Sequence, residues 1–260
     1  MKPGSVKKML KMGLIAATVV GGAVVAHATI TSGLSARWKF TDGYGITAPD
    51  SSGLGNTGLL TGAAYFVNDP VKGQVLNING ISGEMDVPYS AAVAPASGTI
   101  SVWVKPTQSQ ISDVIRMDTD MLVACNRGGN FYAYDLRIDT KGTPIAIIAN
   151  DDPKTCGRSP QTVVSGSANQ VKLNQWTHLA MSWGAGTLTI YANGKQVGST
   201  AFTPDATGLS YHGGYPLKAA AAIWDFGTGY LEYVGQLSDV RVYSRALTST
   251  EISQIANAGQ

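Results

Sequence analysis

Several stretches of the chain alternate apolar and polar residues with a period of two. "SARWKF" (35–40) and "GTISVWVKP" (98–106) do so, and the latter stops at a proline. "QVLNIN" (74–79) and "GEMDVP" (83–88) are two further strands. "MLVACN" (121–126), "FYAYDLRID" (131–139) and "PIAIIAN" (144–150) add three more, the last two joined by the turn "TKGT". "VKLNQWTHLAMSW", "TLTIYANG" and "KQVGSTAF" (171–202) form a three-strand meander, and "YLEYVGQLSDVRVYSRAL" (230–247) carries one or two final strands. Alternation puts successive side chains on opposite faces of a sheet, so each run predicts a strand with one buried face. "DGYGITAPDSSGLGNTGLL" (42–60) reads as a long loop. Only "TSTEISQIANA" (248–258) has a helical pattern, with Thr248 or Ser249 as N-cap and Glu251 in the first turn. Short strands at regular spacing, with no helices between them, predict an all-β antiparallel sandwich or jelly roll with a short C-terminal helix.

Composition agrees: 31 Gly, 44% hydrophobic and 14% charged residues suit a turn-rich β protein and not a disordered chain. The first 28 residues stand apart. Lys2, Lys7, Lys8 and Lys11 precede an apolar stretch from Met12 to Val25, and Ala26-His27-Ala28 has the small-x-small form of a cleavage site. This is a signal peptide in pattern, so residues 29–260 are expected as one exported domain, periplasmic or extracellular. The apolar stretch is short for a bilayer span, and no membrane insertion is expected after cleavage. The full chain carries 19 Lys+Arg and 17 Asp+Glu; the four lysines leave with the leader, and the remainder is slightly acidic. Neither nucleic acid nor an anionic membrane is therefore an expected partner. In an oxidising compartment Cys125 and Cys156 are expected as one disulfide, with two separate buried thiols as the alternative.

The stretch "WTHLAMSWGAGTLTIYANGKQVGS" (176–199) resembles the W-x-H-(V/L)-A…Y-x-(N/D)-G-x-x-V-G-S pattern of laminin-G-like jelly rolls, members of the concanavalin A-like lectin/glucanase superfamily. "GLSARWKFTDGYGITAPDSSGLGN", "GTISVWVKP" and "GQLSDVRVYSRALTSTEI" are similar to three more of its motifs, in the expected order from about 34 to 255. The resemblance implies two antiparallel sheets of about a dozen strands. It also makes Trp38, Trp103, Trp176 and His178 framework residues. It suggests one cofactor, a calcium ion at the sandwich edge, but Thr41 and Ser238 stand where the family has acids, while Asp42 and Asp239 keep the second acid of each pair. A weak calcium site or none is expected, and Asp50 is read as capping its own turn.

Catalysis is not expected. Retaining glycanases of this fold place two carboxylates on one strand, in a Glu-x-Asp-x-(x)-Glu pattern. The chain has three Glu (Glu84, Glu232, Glu251), and none lies in that pattern. Glu84 and Asp86 have the right spacing but are assigned to a solvent-edge strand. Tyr132, Tyr134 and Arg137 lack the Gln-x-His that a lyase set would need. The aromatic residues Tyr211, Tyr215, Trp224 and Tyr230 crowd the segment 209–233 and are the candidate ligand-binding residues, since sugars stack on aromatic faces. The expected function is a secreted, non-enzymatic recognition module for a glycan or a cell-surface or matrix protein. A structural component of a matrix or appendage is the alternative, and a glycan-active enzyme comes third.

Overall fold

The computed structural model describes residues 30–79, 83–109, 111–118, 132–149, 161–203, 215–220, 223–225, 229–231 and 233–258. Two antiparallel sheets face one another. The first is built from β1 (Leu34–Trp38), β4 (Ala64–Asp69), β5 (Gly73–Asn79), β7 (Gly98–Pro106), β12 (Thr177–Gly184), β13 (Thr187–Ala192), β14 (Lys195–Ala201) and β18 (Val234–Tyr243). Its order is β14-β13-β12-β7-β18-β5-β4, with β1 also paired to β18. The second contains β2 (Thr47–Ala48), β3 (Gly58–Thr61), β6 (Glu84–Val87), β8 (Ser112–Asp118), β9 (Tyr132–Ile138), β10 (Pro144–Ala149), β11 (Gln161–Ser165) and β15 (Leu217–Ala219). These run β11-β10-β9-β8-β15-β6-β3-β2. A separate hairpin pairs β16 (Ile223–Asp225) with β17 (Gly229–Leu231), and a helix, α1 (Ser249–Ala258), follows β18.

The predicted alternation is what fills the core. Ile100, Val102 and Val104 of β7 point inward with Leu179, Met181 and Trp183 of β12 and Leu237, Val240 and Val242 of β18. They meet Met85, Val87, Tyr134, Leu136, Ala146 and Ile148 from the second sheet. Burying one such aliphatic side chain contributes about 1.5–3 kcal/mol, so this layer drives the fold. The opposite face of the first sheet is partly covered as well: α1 lays Ile252 and Ile255 on Ala180, Tyr191 and Tyr243. Asn193 and Gly194, with φ of 48° and 74°, make the left-handed two-residue turn between β13 and β14 that a tight hairpin needs.

The sequence and the structure differ in number and in detail. About a dozen strands are expected, whereas the described residues form eighteen, several only two or three residues long. The expected loop 42–60 contains β2 and most of β3. Trp176 is not core: it is half-buried, and its indole N–H is donated to Asp69 Oδ1 at 3.1 Å. β6 is not an edge strand, because β3 and β15 flank it. The expected strand 121–126, Cys125, Cys156, Tyr211 and the leader 1–28 lie outside the described residues.

Candidate functional site

Residues that face away from the core on a sheet ordinarily meet solvent, but on the second sheet they form an ion-pair system. Met85 and Val87 of β6 point inward, which turns Glu84 and Asp86 outward; Leu217 and Ala219 of β15 do the same for Lys218. The register then lines up one row across the sheet: Leu59 opposite Asp86, Asp86 opposite Lys218, Lys218 opposite Arg116, Arg116 opposite Asp135 and Asp135 opposite Ile147. Arg137 and Asp113 face each other two residues further along β9, across the bulge in β8.

Every cation of the row meets a carboxylate. Lys218 Nζ donates to Glu84 and, at 2.9 Å, to Asp86 Oδ1. Arg116 reaches Asp113 Oδ2 at 3.1 Å, and Arg137 grips Asp113 Oδ1 at 2.8 Å and Asp135 Oδ2 at 2.7 Å. Asp113 and Asp135 are fully buried. Burial pushes the Asp135 carboxyl well above its ordinary range, the neighbouring Asp113 adds to this, and Arg137 and Arg116 only oppose it. Its Oδ1 has no hydrogen-bond partner among the described residues. Burial alone would lower the Lys218 ammonium, but hydrogen bonds to Glu84 and Asp86 outweigh it and hold the cation charged.

Chemically the row offers fixed donors and acceptors, not a nucleophile. Arg137 Nε lies 2.8 Å from Asp113 Oδ1 and 3.1 Å from Asp135 Oδ2, so a guanidinium fills the gap between the two acids. A retaining hydrolase keeps that gap, roughly 5 Å wide, for the reacting sugar carbon.

The aromatic candidates distribute unevenly. Tyr215 is 39% exposed and stands two residues before β15. Trp224 and Tyr230 are backbone partners in the β16–β17 hairpin. That hairpin begins just past Ala220, whose N–H is held by Val114 O of β8 at 2.7 Å. Tyr215, Trp224 and Tyr230 therefore belong to the segment that carries Lys218 into the row. Arg116, Asp113, Asp135 and Lys218 carry no motif in the sequence, because cross-strand register, not chain spacing, unites them. Tyr134 is core, its hydroxyl donated to Val93 O at 2.7 Å.

The readings of His178 as a buried framework residue and of Asp50 as a turn cap hold, unlike that of Trp176. His178 is fully buried, its Nε2 2.9 Å from Ser101 Oγ and its ring edge-on to Trp103. Burial, with Arg241 adding, lowers its pKa to about 3. Asp50 caps its own turn, accepting the N–H groups of Arg37, Ser52 and Asn56 at 2.8–2.9 Å. The residues at the family's calcium position fit an ion poorly. Asp239 is clamped by Arg37 at 2.7 and 3.1 Å and also by Arg241, while Thr41 and Asp42 are exposed. With two guanidiniums on Asp239, the exposed Asp42 is the one retained acid outside an ion pair among the described residues, too little charge for a tight calcium site there.

Comparison with known proteins now bears on identity. One similar solved structure is Domain 4 of AbnA, a GH43 extracellular arabinanase from Geobacillus stearothermophilus, in complex with arabinotriose. It is similar at 20% identity over 86% of this chain and 98% of that one, with a TM-score of 0.61. The binding domain of Paraclostridial Mosquitocidal Protein 1 is similar at 14% identity over 88% of this chain and 53% of that one, with a TM-score of 0.63. These likenesses concern the fold. In sequence, 170 residues are 25% identical to the Adhesion G-protein coupled receptor V1 of Danio rerio, covering 62% of this chain but 2% of the receptor's length. The laminin G family profile of the Concanavalin A-like lectin/glucanases superfamily matches residues 79–253. The chain belongs to that laminin-G-like family.

Proposed function

We propose that this protein is an exported, non-enzymatic recognition module that binds carbohydrate on the outer face of its second sheet. The observation that carries the reading is the accessible end of the row, Glu84, Asp86 and Lys218, in which charged donors and acceptors are fixed by mutual pairing. Such groups bind sugar hydroxyls without reorganising, and Tyr215, Trp224 and Tyr230 on the adjoining segment supply the aromatic contact. Domain 4 of the arabinanase, of the same fold, was crystallised with arabinotriose, which supports a glycan ligand. Export would follow removal of residues 1–28, and the mature chain would carry a Cys125–Cys156 bridge. Mass spectrometry should find a start near Thr29 and the loss of two hydrogens; free thiols under denaturing, non-reducing conditions would refute the bridge.

The test is a glycan array with the mature protein, followed by calorimetry on its best ligand. Asp86→Asn combined with Lys218→Met should weaken binding by about tenfold or more, the equivalent of ~1.4 kcal/mol, while the protein stays folded. Binding unchanged in that variant would remove the ligand from this face. A protein partner is the second reading. It is favoured by Tyr44, Ile46 and Leu59, which are 67%, 63% and 45% exposed and adjoin one another at the β2 edge.

A further inference from the structure

A second concave site lies apart from the outer face. At one end of the sandwich a cleft of about 280 Å³ opens between the sheets, bounded by Pro106 and Tyr233 on one side and Ser112 and Ile138 on the other. Its walls are the turn Asp139–Gly142 and the segment 169–173. They are stitched together by main-chain bonds: Asn169 N–H to Lys141 O at 2.8 Å and Val171 N–H to Gly142 O at 2.9 Å. Asn174 N–H donates to Pro106 O at 2.8 Å, and Ser109 Oγ to Thr140 O at 2.6 Å. Gly142 has a φ of 70°, and a Cβ there would fall 2.2 Å from Val171 O, so the walls close this tightly only with glycine. The cleft is thus preformed, and little ordering is needed when a ligand enters.

Its charge balance is the reverse of the outer row. Lys141 and Lys172 line it, and neither makes an ion pair among the described residues. Asp139 is the one acid in the lining, and its Oδ1 is already spent on the N–H groups of Lys141 and Thr143, both at 2.8 Å. Its charge also attracts Lys141, so two cations against one acid leave the lining with a net positive charge that favours an anionic ligand. The floor of Tyr233, Ile138 and Val171 is apolar, while Gln108 and Asn169 offer amides at the lip. The volume lies at the small end of ligand pockets, enough for one ring and not for a chain.

We infer that this cleft binds a single acidic sugar unit, a pyranose carrying a carboxylate, with Lys141 and Lys172 on the carboxylate and the ring over the apolar floor. The site is independent of the outer face. Saturation-transfer NMR on the mature protein, titrated separately with glucuronate, glucose and acetate, tests it. Glucuronate should bind about tenfold or more tighter than either glucose or acetate. Lys141→Met with Lys172→Met should reduce glucuronate binding by about the same factor, and Asp86→Asn with Lys218→Met should leave it unchanged. Glucose or acetate binding as tightly as glucuronate, undiminished binding in the double-lysine variant, or no glucuronate binding at all would overturn the inference. Loss only in the Asp86/Lys218 variant would instead return the sugar to the outer face.

Discussion

His178 sits between Ser101 and Trp103, and protonating it would set a second cation beside Arg241 in a site closed to water. Its folded pKa of about 3 lies below the ordinary imidazole value, so its stabilising effect is complete at neutral pH and is lost as the pH falls through ~6.5. Between pH 7 and pH 5 this should cost about 2 kcal/mol, seen as a drop in urea-unfolding free energy that His178→Gln lacks. Asp69 and Asp239, both near 2, weaken the fold only below about pH 4, and Asp135 acts in the opposite sense in both proteins. An equal pH slope in the variant would show that another group titrates. Arg137 gives a second test. Arg137→Met takes the ion-pair partner from the buried Asp135 while Arg116 still holds Asp113, and should cost about 3–5 kcal/mol at pH 7, because breaking one side of a buried pair leaves charge unpaired. The penalty should shrink at pH 5 as Asp135, already raised by burial, takes up a proton; a pH-independent loss would count against the pairing. His178 and Asp50 were legible in the sequence because their partners are local or set by the framework motif. The Arg137 cluster was not, since nothing in "YAYDLRID" says that Asp113 faces it.

Among the elements, α1 was read from a short signature, and the structure assigns its cap to Thr248. The Thr248 N–H and hydroxyl both donate to Glu251 Oε2, at 2.8 and 3.0 Å, while Glu251 N–H returns to Thr248 Oγ1 at 3.3 Å. Arg245 holds the same carboxylate, which together with the cap keeps Glu251 below its ordinary range. Thr248→Ala should therefore cost about 1 kcal/mol, while Thr248→Ser should cost little; equal losses in thermal unfolding would show that the hydroxyl is not the cap. The strands that build the outer row were harder to see. β8 breaks its own period with a bulge between Asp113 and Ile115 and carries charges on its outward positions, so "SDVIRMD" does not alternate. β15 has three residues between Pro216 and Ala220, too few for any periodicity. The aromatic segment 209–233 drew notice by composition, but Lys218, the residue through which it joins the sheet, has no local signal.

For the whole molecule, four motifs in one order were enough to name the fold, because strands whose alternation is enforced by a common core keep recognisable spacing. The ligand faces are drawn from strands distant in the chain, and only the folded arrangement assembles them. Calcium is the property on which sequence and structure bear together. A sub-micromolar site in millimolar calcium would add about 4 kcal/mol or more, and raise the melting temperature of a domain this size by roughly 10 °C. Thr41 and Ser238 replace the family's acids, and the retained Asp239 is held by Arg37 and Arg241 with its pKa drawn down to about 2. Burial works against that carboxylate's charge, and the two guanidiniums overcome it, so an incoming cation would have to displace one of them. Melting in EDTA and in millimolar calcium should differ by a few degrees at most. Thr41→Asp with Ser238→Asp should widen the difference, and adding Arg37→Gln, which releases one side of Asp239, should widen it further. A shift of about 10 °C in the unaltered protein would mean that calcium binds through other oxygens, and the charge argument at this edge would fail.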